Sequence, residues 1–122
     1  MKRVYLLMIA CVLIFAVAGC QVQTFYGSRT GDEKQFLLEY SFLNKTETHE
    51  MALEQGTAIH VGIEHVSGRI DVIVSDALGK EIYRGNEASS GNFLLEIPET
   101  GTYRFSVTGK KAKGSVSFIV EG

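Results

Sequence analysis

The sequence predicts a small all-β domain, a single antiparallel β-sandwich of jelly-roll type with about eight strands. Apolar residues recur at every second position in one segment after another, which is the period of a strand with one buried face. Turns that contain glycine separate these segments, and the only proline, Pro98, follows one of them. The predicted organisation is a signal at 1–19, a tether at 20–35 and the sandwich at 36–122.

Six segments alternate most clearly between apolar and polar residues. One apolar face in each segment predicts antiparallel sheets that pack against one another. The turn at 76–79 has Asp76 at its head, and we expect this side chain to bond the backbone two residues on. The six segments are 36–42, 59–64, 70–75, 93–97, 103–107 and 116–120.

Two further segments bring the number to about eight strands. Residues 46–55 contain good helix formers, with Thr46 as a cap and Gly56 as a stop, so a helix is one interpretation. Met51 and Leu53 alternate as in a strand, and strand is the favoured interpretation, in a hairpin with the segment that begins at Ile59. The short run 81–83 is the other added strand.

Residues 20–35 and the lysine cluster at 110–113 carry no strand period. Residues 20–35 are polar with two glycines, which predicts a flexible tether ahead of the domain. The cluster Lys110-Lys111-Ala112-Lys113 lies between two predicted strands and is interpreted as a hairpin tip kept soluble by charge. Contact of these lysines with anionic lipid or polymer is the alternative.

The N-terminus carries the most specific motif of the chain. Lys2 and Arg3 precede the apolar stretch 4–18, which is shorter than the roughly 20 residues of a membrane-spanning helix. The stretch ends in the tetrapeptide Val17-Ala18-Gly19-Cys20, which resembles the lipobox of bacterial lipoproteins. The resemblance implies cleavage between Gly19 and Cys20, a diacylglycerol on Cys20, and anchoring to the cell or outer membrane on its extracytoplasmic side. An ordinary signal peptide and an uncleaved anchor are the alternatives.

Residues 68–83 of the predicted sandwich read as a strand, a turn and a short strand, and Gly101-Thr102-Tyr103 opens a core strand. Together these two segments resemble the pre-peptidase C-terminal domain and GOLD-type modules. The resemblance implies a non-catalytic attachment or interaction module. The Tyr103 hydroxyl is expected to find a backbone partner.

Composition excludes several classes of function. The net charge is −2, and losing Lys2 and Arg3 with the signal makes the remainder more acidic, which argues against nucleic acid as a partner. Cys11 lies in the signal and the lipid would occupy Cys20, so no disulfide is expected.

No catalytic residue, cofactor or metal site is predicted. Zinc needs three or four converging ligands, and His49, His60 and His65 read as scattered surface imidazoles. The candidate calcium carboxylates lack the D-x-D-x-D-G spacing, and no serine lies in a G-x-S-x-G context. These carboxylates are Asp71, Asp76, Glu81, Glu87 and Glu99.

The expected function is therefore binding or accessory work by a lipid-anchored envelope protein, with a protein or an envelope polymer as partner. A structural subunit docked on a larger membrane complex and a small metal-dependent hydrolase are the alternatives. Ile73, Leu94 and Ile119 break the alternation and form a candidate interaction patch. The rival interpretation is that residues 20–35 or 46–55 cover them.

Overall fold

Seven antiparallel strands build the domain in the computed structural model, which describes residues 22–121. Among these residues there is no helix that could cross a membrane. The all-β prediction is confirmed. The strands are β1 Thr24–Gly31, β2 Gln35–Asn44, β3 Thr46–Leu53, β4 Ala58–Ser75, β5 Glu81–Gly85, β6 Gly91–Glu96 and β7 Gly101–Val120.

Two long strands, β4 and β7, belong to both layers of the sandwich. In the first layer the order is β1, β2, the second half of β7, the first half of β4, and β6. In the second layer it is β3, the first half of β7, the second half of β4, and β5. The predicted segments 59–64 and 70–75 are thus two halves of one strand, as are 103–107 and 116–120.

β4 and β7 bend side by side where they pass from one layer to the other. The β4–β7 register shifts between His65 and Arg69, and Gly68 has a φ of 77°. A Cβ on Gly68 would lie 2.2 Å from the Lys111 carbonyl oxygen, so a side chain does not fit there. Glycines that were predicted to reverse the chain therefore bend a continuing strand at bulges instead.

The sandwich has two different ends. The bend end holds the start of β1 after Val22, the β2–β3 connection at Asn44 and Lys45, and both strand bends. The turn end holds the connections at 32–34, 54–57, 76–80 and 97–100, and Glu121 after β7. The first described residue and the last one therefore lie at opposite ends.

The inward faces of the two layers meet in one apolar core with no buried charged residue among those described. Its centre is a run of aromatic rings in which Phe118 lies between Phe36 and Phe105, at centroid distances of 6.0 and 4.9 Å. Phe105 and Phe118 belong to the two halves of β7, so this contact holds the folded-over strand together.

The tether prediction is wrong for residues 24–31, which form edge strand β1 paired with β2. Phe25 packs against the core, and the Arg29 guanidinium lies 4.8 Å from the centre of the Phe36 ring. A Cβ on Gly31 would lie 2.8 Å from His49 Nδ1. Beyond Phe25, the inward positions of β1 are occupied by an arginine and by glycines that make room for neighbours, which conceals the strand period.

The strand interpretation of residues 46–53 is confirmed, because β3 pairs along its whole length with β7. Its hairpin with the segment at Ile59 is wrong, since that segment lies in the other layer. The turn prediction at Asp76 is confirmed: its Oδ1 accepts hydrogen bonds from Leu78 N and Lys80 N, both at 2.9 Å. The Tyr103 hydroxyl donates to the Glu99 carbonyl, as expected.

We expect Phe118→Ala to lower the free energy of unfolding by about 3–5 kcal/mol, because it opens a cavity between two aromatic rings. Chemical denaturation followed by circular dichroism measures the change. Leu94→Ala is the control, since Leu94 is 65% exposed and its truncation should change stability by less than about 0.5 kcal/mol. Similar losses in both variants would contradict this description of the core.

Tyr40 predicts a specific alkaline instability. Its side chain is buried, its hydroxyl has no hydrogen-bond partner among the described residues, and burial raises its pKa to about 12. Between its ordinary pKa near 10 and the raised one, the unfolded state loses the proton while the folded state keeps it. Protonated Tyr40 therefore contributes about 2–3 kcal/mol to the free energy of unfolding. This contribution is present below pH 10 and is lost as pH rises toward 12.

Tyr40→Phe removes this titration and the unpaired hydroxyl, so we expect equal or greater stability at pH 8 and a smaller loss at higher pH. Urea midpoints between pH 8 and 11.5 compare the two proteins. Parallel curves would mean that Tyr40 is not the group responsible.

Candidate functional site

Asn44 fastens the start of the described chain to the bend end. Its Nδ2 donates to the Val22 carbonyl oxygen at 3.1 Å, and its Oδ1 accepts from the Lys111 amide at 3.2 Å. Cys20, the predicted lipidation site, lies outside the described residues. The first described residue, Val22, is therefore tied to the bend end.

The lysine cluster lies beside this attachment. It forms no hairpin tip: Lys110, Lys111 and Lys113 belong to the continuous strand β7, in its bend. The bulge gives Lys111 a φ of 49°, and Lys110 and Lys111 are both exposed although they are consecutive. Ala112 is fully buried and turns the flanking lysines away from the core. The bend thus exposes three lysines to solvent.

These lysines differ from the other cations of the bend end. Within residues 22–121, no ion pair is formed by Lys110, Lys111 or Lys113. Lys45 instead contacts Glu47 at 3.3 Å, and Arg69 contacts Asp71 and Glu87 at 3.2 and 3.1 Å. The charges of Lys45 and Arg69 are thus offset by neighbouring carboxylates.

The turn end carries the opposite charge. Two lysines, Lys34 and Lys80, lie in its connections, and carboxylates outnumber them. The charge of the domain therefore changes sign along the strand direction. The acidic residues of the turn end are Asp32, Glu33, Glu54, Asp76, Glu96, Glu99 and Glu121.

A polar cleft opens next to the β4 bend, lined by His65, Arg69, Glu87 and Ser89 among others. Burial opposes the charge of Asp71 behind this cleft, but hydrogen bonds from Glu87 N and Arg69 Nε outweigh it and lower the pKa of Asp71. His65 Nδ1 is buried with no partner among the described residues. The ion pairs of Arg69 with Asp71 and Glu87 thus hold the walls of the cleft together, and these side chains have a structural role.

The three histidines lie apart. His49 Nε2 donates to the Asp32 carbonyl at 2.7 Å, and His60 Nδ1 lies 3.7 Å from Glu121 Oε1. His49 belongs to the second layer, whereas His60 and His65 lie in the first. Over residues 22–121, no group of three histidine, cysteine or acidic side chains is arranged to hold a metal ion.

The candidate calcium carboxylates are also dispersed. Asp71 and Glu87 lie at the bend end, while Asp76 and Glu99 lie in connections of the turn end. Glu81 opens β5, and its hydrogen bonds with Arg84 lower the pKa of Glu81. Asp71, Asp76 and Glu81 thus form hydrogen bonds with neighbouring groups of the protein and do not converge on a common point.

The candidate patch is divided between the two layers. Leu94 and Ile119 flank His60 on the outward face of the first layer, where they are 65% and 40% exposed. Ile73 lies beside Arg84 and Ser106 on the outward face of the second layer. β4 crosses between layers after His60, so the three residues do not form one patch. Strands β1 and β3 leave Leu94 and Ile119 exposed.

Two residues that organise the bend side of the sandwich were not singled out by sequence analysis. Asn44 ends an apolar segment like many polar residues, and nothing in its neighbours indicates a bond to Lys111. Arg29 lies in the presumed tether, yet it contacts Glu47 at 2.9 Å and the Thr48 carbonyl at 2.6 Å. It thereby joins the edge strands β1 and β3 of the two layers.

No protein-family model matches this chain, and no curated protein matches its sequence. Among solved structures it is similar to the periplasmic inhibitor of g-type lysozyme from Aeromonas hydrophila, with 14% identity, a TM-score of 0.49 and coverage of 84% of this chain and 93% of that one. It is also similar to the pre-peptidase C-terminal domain of collagenase from Bacillus anthracis, with 12% identity, a TM-score of 0.49 and coverage of 83% of this chain and 100% of that one. TM-scores below 0.5 assign neither family nor function.

Asn44→Ala should release the start of the chain from the bend. We expect unfolding to become easier by about 1–2 kcal/mol, since two hydrogen bonds are lost, and the Lys111 amide to exchange its proton faster. Denaturation and hydrogen-exchange NMR measure the two effects. Asn92→Ala, an exposed asparagine in β6, is the control. Unchanged exchange at Lys111 would show that Asn44 does not hold this bend.

Proposed function

We propose that this chain is a non-catalytic accessory module of a bacterial envelope, anchored by lipid on Cys20 and seated directly on the extracytoplasmic surface of its membrane. The observation that carries the proposal is the attachment of Val22 to Asn44 at the bend end. A single residue, Gln21, separates the lipobox cysteine from the first described residue. The acyl chains would therefore draw the folded domain onto the bilayer.

Burial of two acyl chains provides enough free energy to hold the domain on a bilayer. Each buried methylene contributes about 0.8 kcal/mol, and a single acyl chain gives only marginal binding, whereas two chains hold a protein stably. The diacylglycerol implied by the Val17–Cys20 motif supplies two. The domain needs no additional apolar membrane-inserting surface for this role.

The side chains that chemistry would require are occupied by structural tasks, which supports a non-catalytic role. His49 closes the β1–β2 turn through the Asp32 carbonyl, and Asp76 closes the turn before β5. Asp71 and Arg69 hold the β4 bend against Glu87.

With the bend end on the membrane, the turn end would face away from the membrane and meet a partner. Its carboxylates favour a protein with a basic surface over an anionic polymer.

A specific feature favours docking on a larger complex as the second candidate function. Within the described chain β6 pairs on one side only, with β4, in a regular register without a bulge. Its free edge carries the 65% exposed Leu94 and no lysine or proline. Such an edge can accept a strand from another protein.

The anchor is tested by mass spectrometry of the protein purified from a bacterium that processes lipoproteins. We expect the mature chain to begin at Cys20 with added acyl mass, and Cys20→Ser to remain unacylated and uncleaved at this site. Cys11→Ser is the matched control, because the other cysteine lies in the apolar stretch, and it should be processed normally. A chain that begins elsewhere, or lacks added mass at position 20, would refute the anchor.

A further inference from the structure

We infer that the bend end binds anionic phospholipid headgroups through Lys110, Lys111 and Lys113, and that this contact holds the sandwich upright on its membrane. The inference rests on the lipid anchor proposed above and adds the ligand and the orientation. It makes the lysine cluster a binding surface rather than a solubilising one.

The first argument is position. The Lys111 amide bonds the same Asn44 side chain that bonds the Val22 carbonyl, so the lysine bend and the anchored end of the chain share one residue. Only Gln21 separates Cys20 from Val22 in the sequence, so the lipid proposed on Cys20 would bring this bend to the headgroup region. The Debye length is about 10 Å at 0.1 M salt, so charges this close to the bilayer are not screened from it.

The second argument is the availability of the charge. The bulge in β7 exposes two consecutive lysines, and Lys113 follows on the far side of the buried Ala112. In the described part of the chain none of the three has a carboxylate partner within 4.0 Å.

Nearby acids reduce this charge only in part. Asp71 is bonded to Arg69 and to the Glu87 amide. Glu39 and Glu64 flank Ser115 on the outward face of the first layer, and Lys113 lines one cleft with both of them, which offsets its charge in part. Lys110 and Lys111 do not line this cleft, so they keep the exposed charge of the bend positive.

The third argument is the opposite charge of the turn end. A membrane rich in anionic lipid attracts the lysines of the bend and repels carboxylates such as Glu33, Glu54 and Glu99, so both ends favour the same orientation. Each lysine beside an anionic leaflet changes the population of the docked state about fivefold, and three lysines on the order of a hundredfold.

The experiment measures the orientation of the lipidated protein in vesicles. A fluorophore is attached at Ser67→Cys, on the bend of β4 opposite Lys113, or at Ala77→Cys, in the turn before β5. The vesicles contain a headgroup-linked quencher in phosphatidylcholine, with or without about 30 mol% phosphatidylglycerol. We expect strong quenching at position 67 with phosphatidylglycerol, weaker quenching without it or in high salt, and little quenching at position 77.

The combined variant Lys110→Gln, Lys111→Gln and Lys113→Gln should lose the phosphatidylglycerol-dependent part of the quenching at position 67. Lys34→Gln with Lys80→Gln is the matched control, since it removes lysines from the turn end, and it should leave the quenching unchanged. Folding of each variant is checked by its urea midpoint.

Several results would overturn the inference. Equal quenching at positions 67 and 77, or quenching that ignores phosphatidylglycerol and the three lysines, would show that the bend does not bind headgroups. Lysine-dependent binding to a soluble anionic polysaccharide, with no effect of phosphatidylglycerol, would assign the surface to a polymer instead. In all these cases acylated protein still floats with the vesicles. Failure of the proposed anchor is distinct, because the protein then carries no acyl mass and does not float.

Discussion

The pairing of β4 with β7 is the constraint on which the rest of the structure depends. The two strands run antiparallel from Ile59 and Val120 at one end to Ser75 and Arg104 at the other, through both layers. β2, β3, β5 and β6 all add to this pair, and β1 adds to β2. Because the pair bends between His65 and Arg69, its two halves face each other and enclose the core. The bend thus creates both the sandwich and the basic surface beside it.

The bend also explains which parts of the fold were predictable from sequence. Alternation locates buried faces, and it located those of β2, β3, β6 and the halves of β4 and β7, because their apolar residues are in the core. It contains no information on whether a glycine between two such segments reverses the chain or bends it. Gly68 is required by the close approach of the Lys111 carbonyl, a contact between residues far apart in sequence. Strand β1 was missed because Arg29 occupies an inward position.

Two parts of the candidate site are visible in short windows of sequence. The motif at Cys20 is local, and its lipidation stays a prediction, whereas the lysines at 110–113 are an obvious cluster. Their proximity depends on the amide of Asn44, which reaches two segments that are distant in the chain. Ile73, Leu94 and Ile119 were expected to lie together, because each breaks the alternation in the same way. Ile73 nevertheless belongs to one layer, and Leu94 and Ile119 belong to the other. Membership of a layer is set by long-range pairing, which no short window of sequence contains.

The place of β7 in the strand order has a consequence for how the domain folds. Strand Gly101–Val120 is the central strand of both layers, and without it β2 and β3 have no common partner among the described residues. The described strands that precede β7 along the chain therefore cannot close the core by themselves. Because the native pairings of β7 join residues that are far apart in sequence, we expect them to form slowly. Folding of the two layers is then a single event that waits for this one strand.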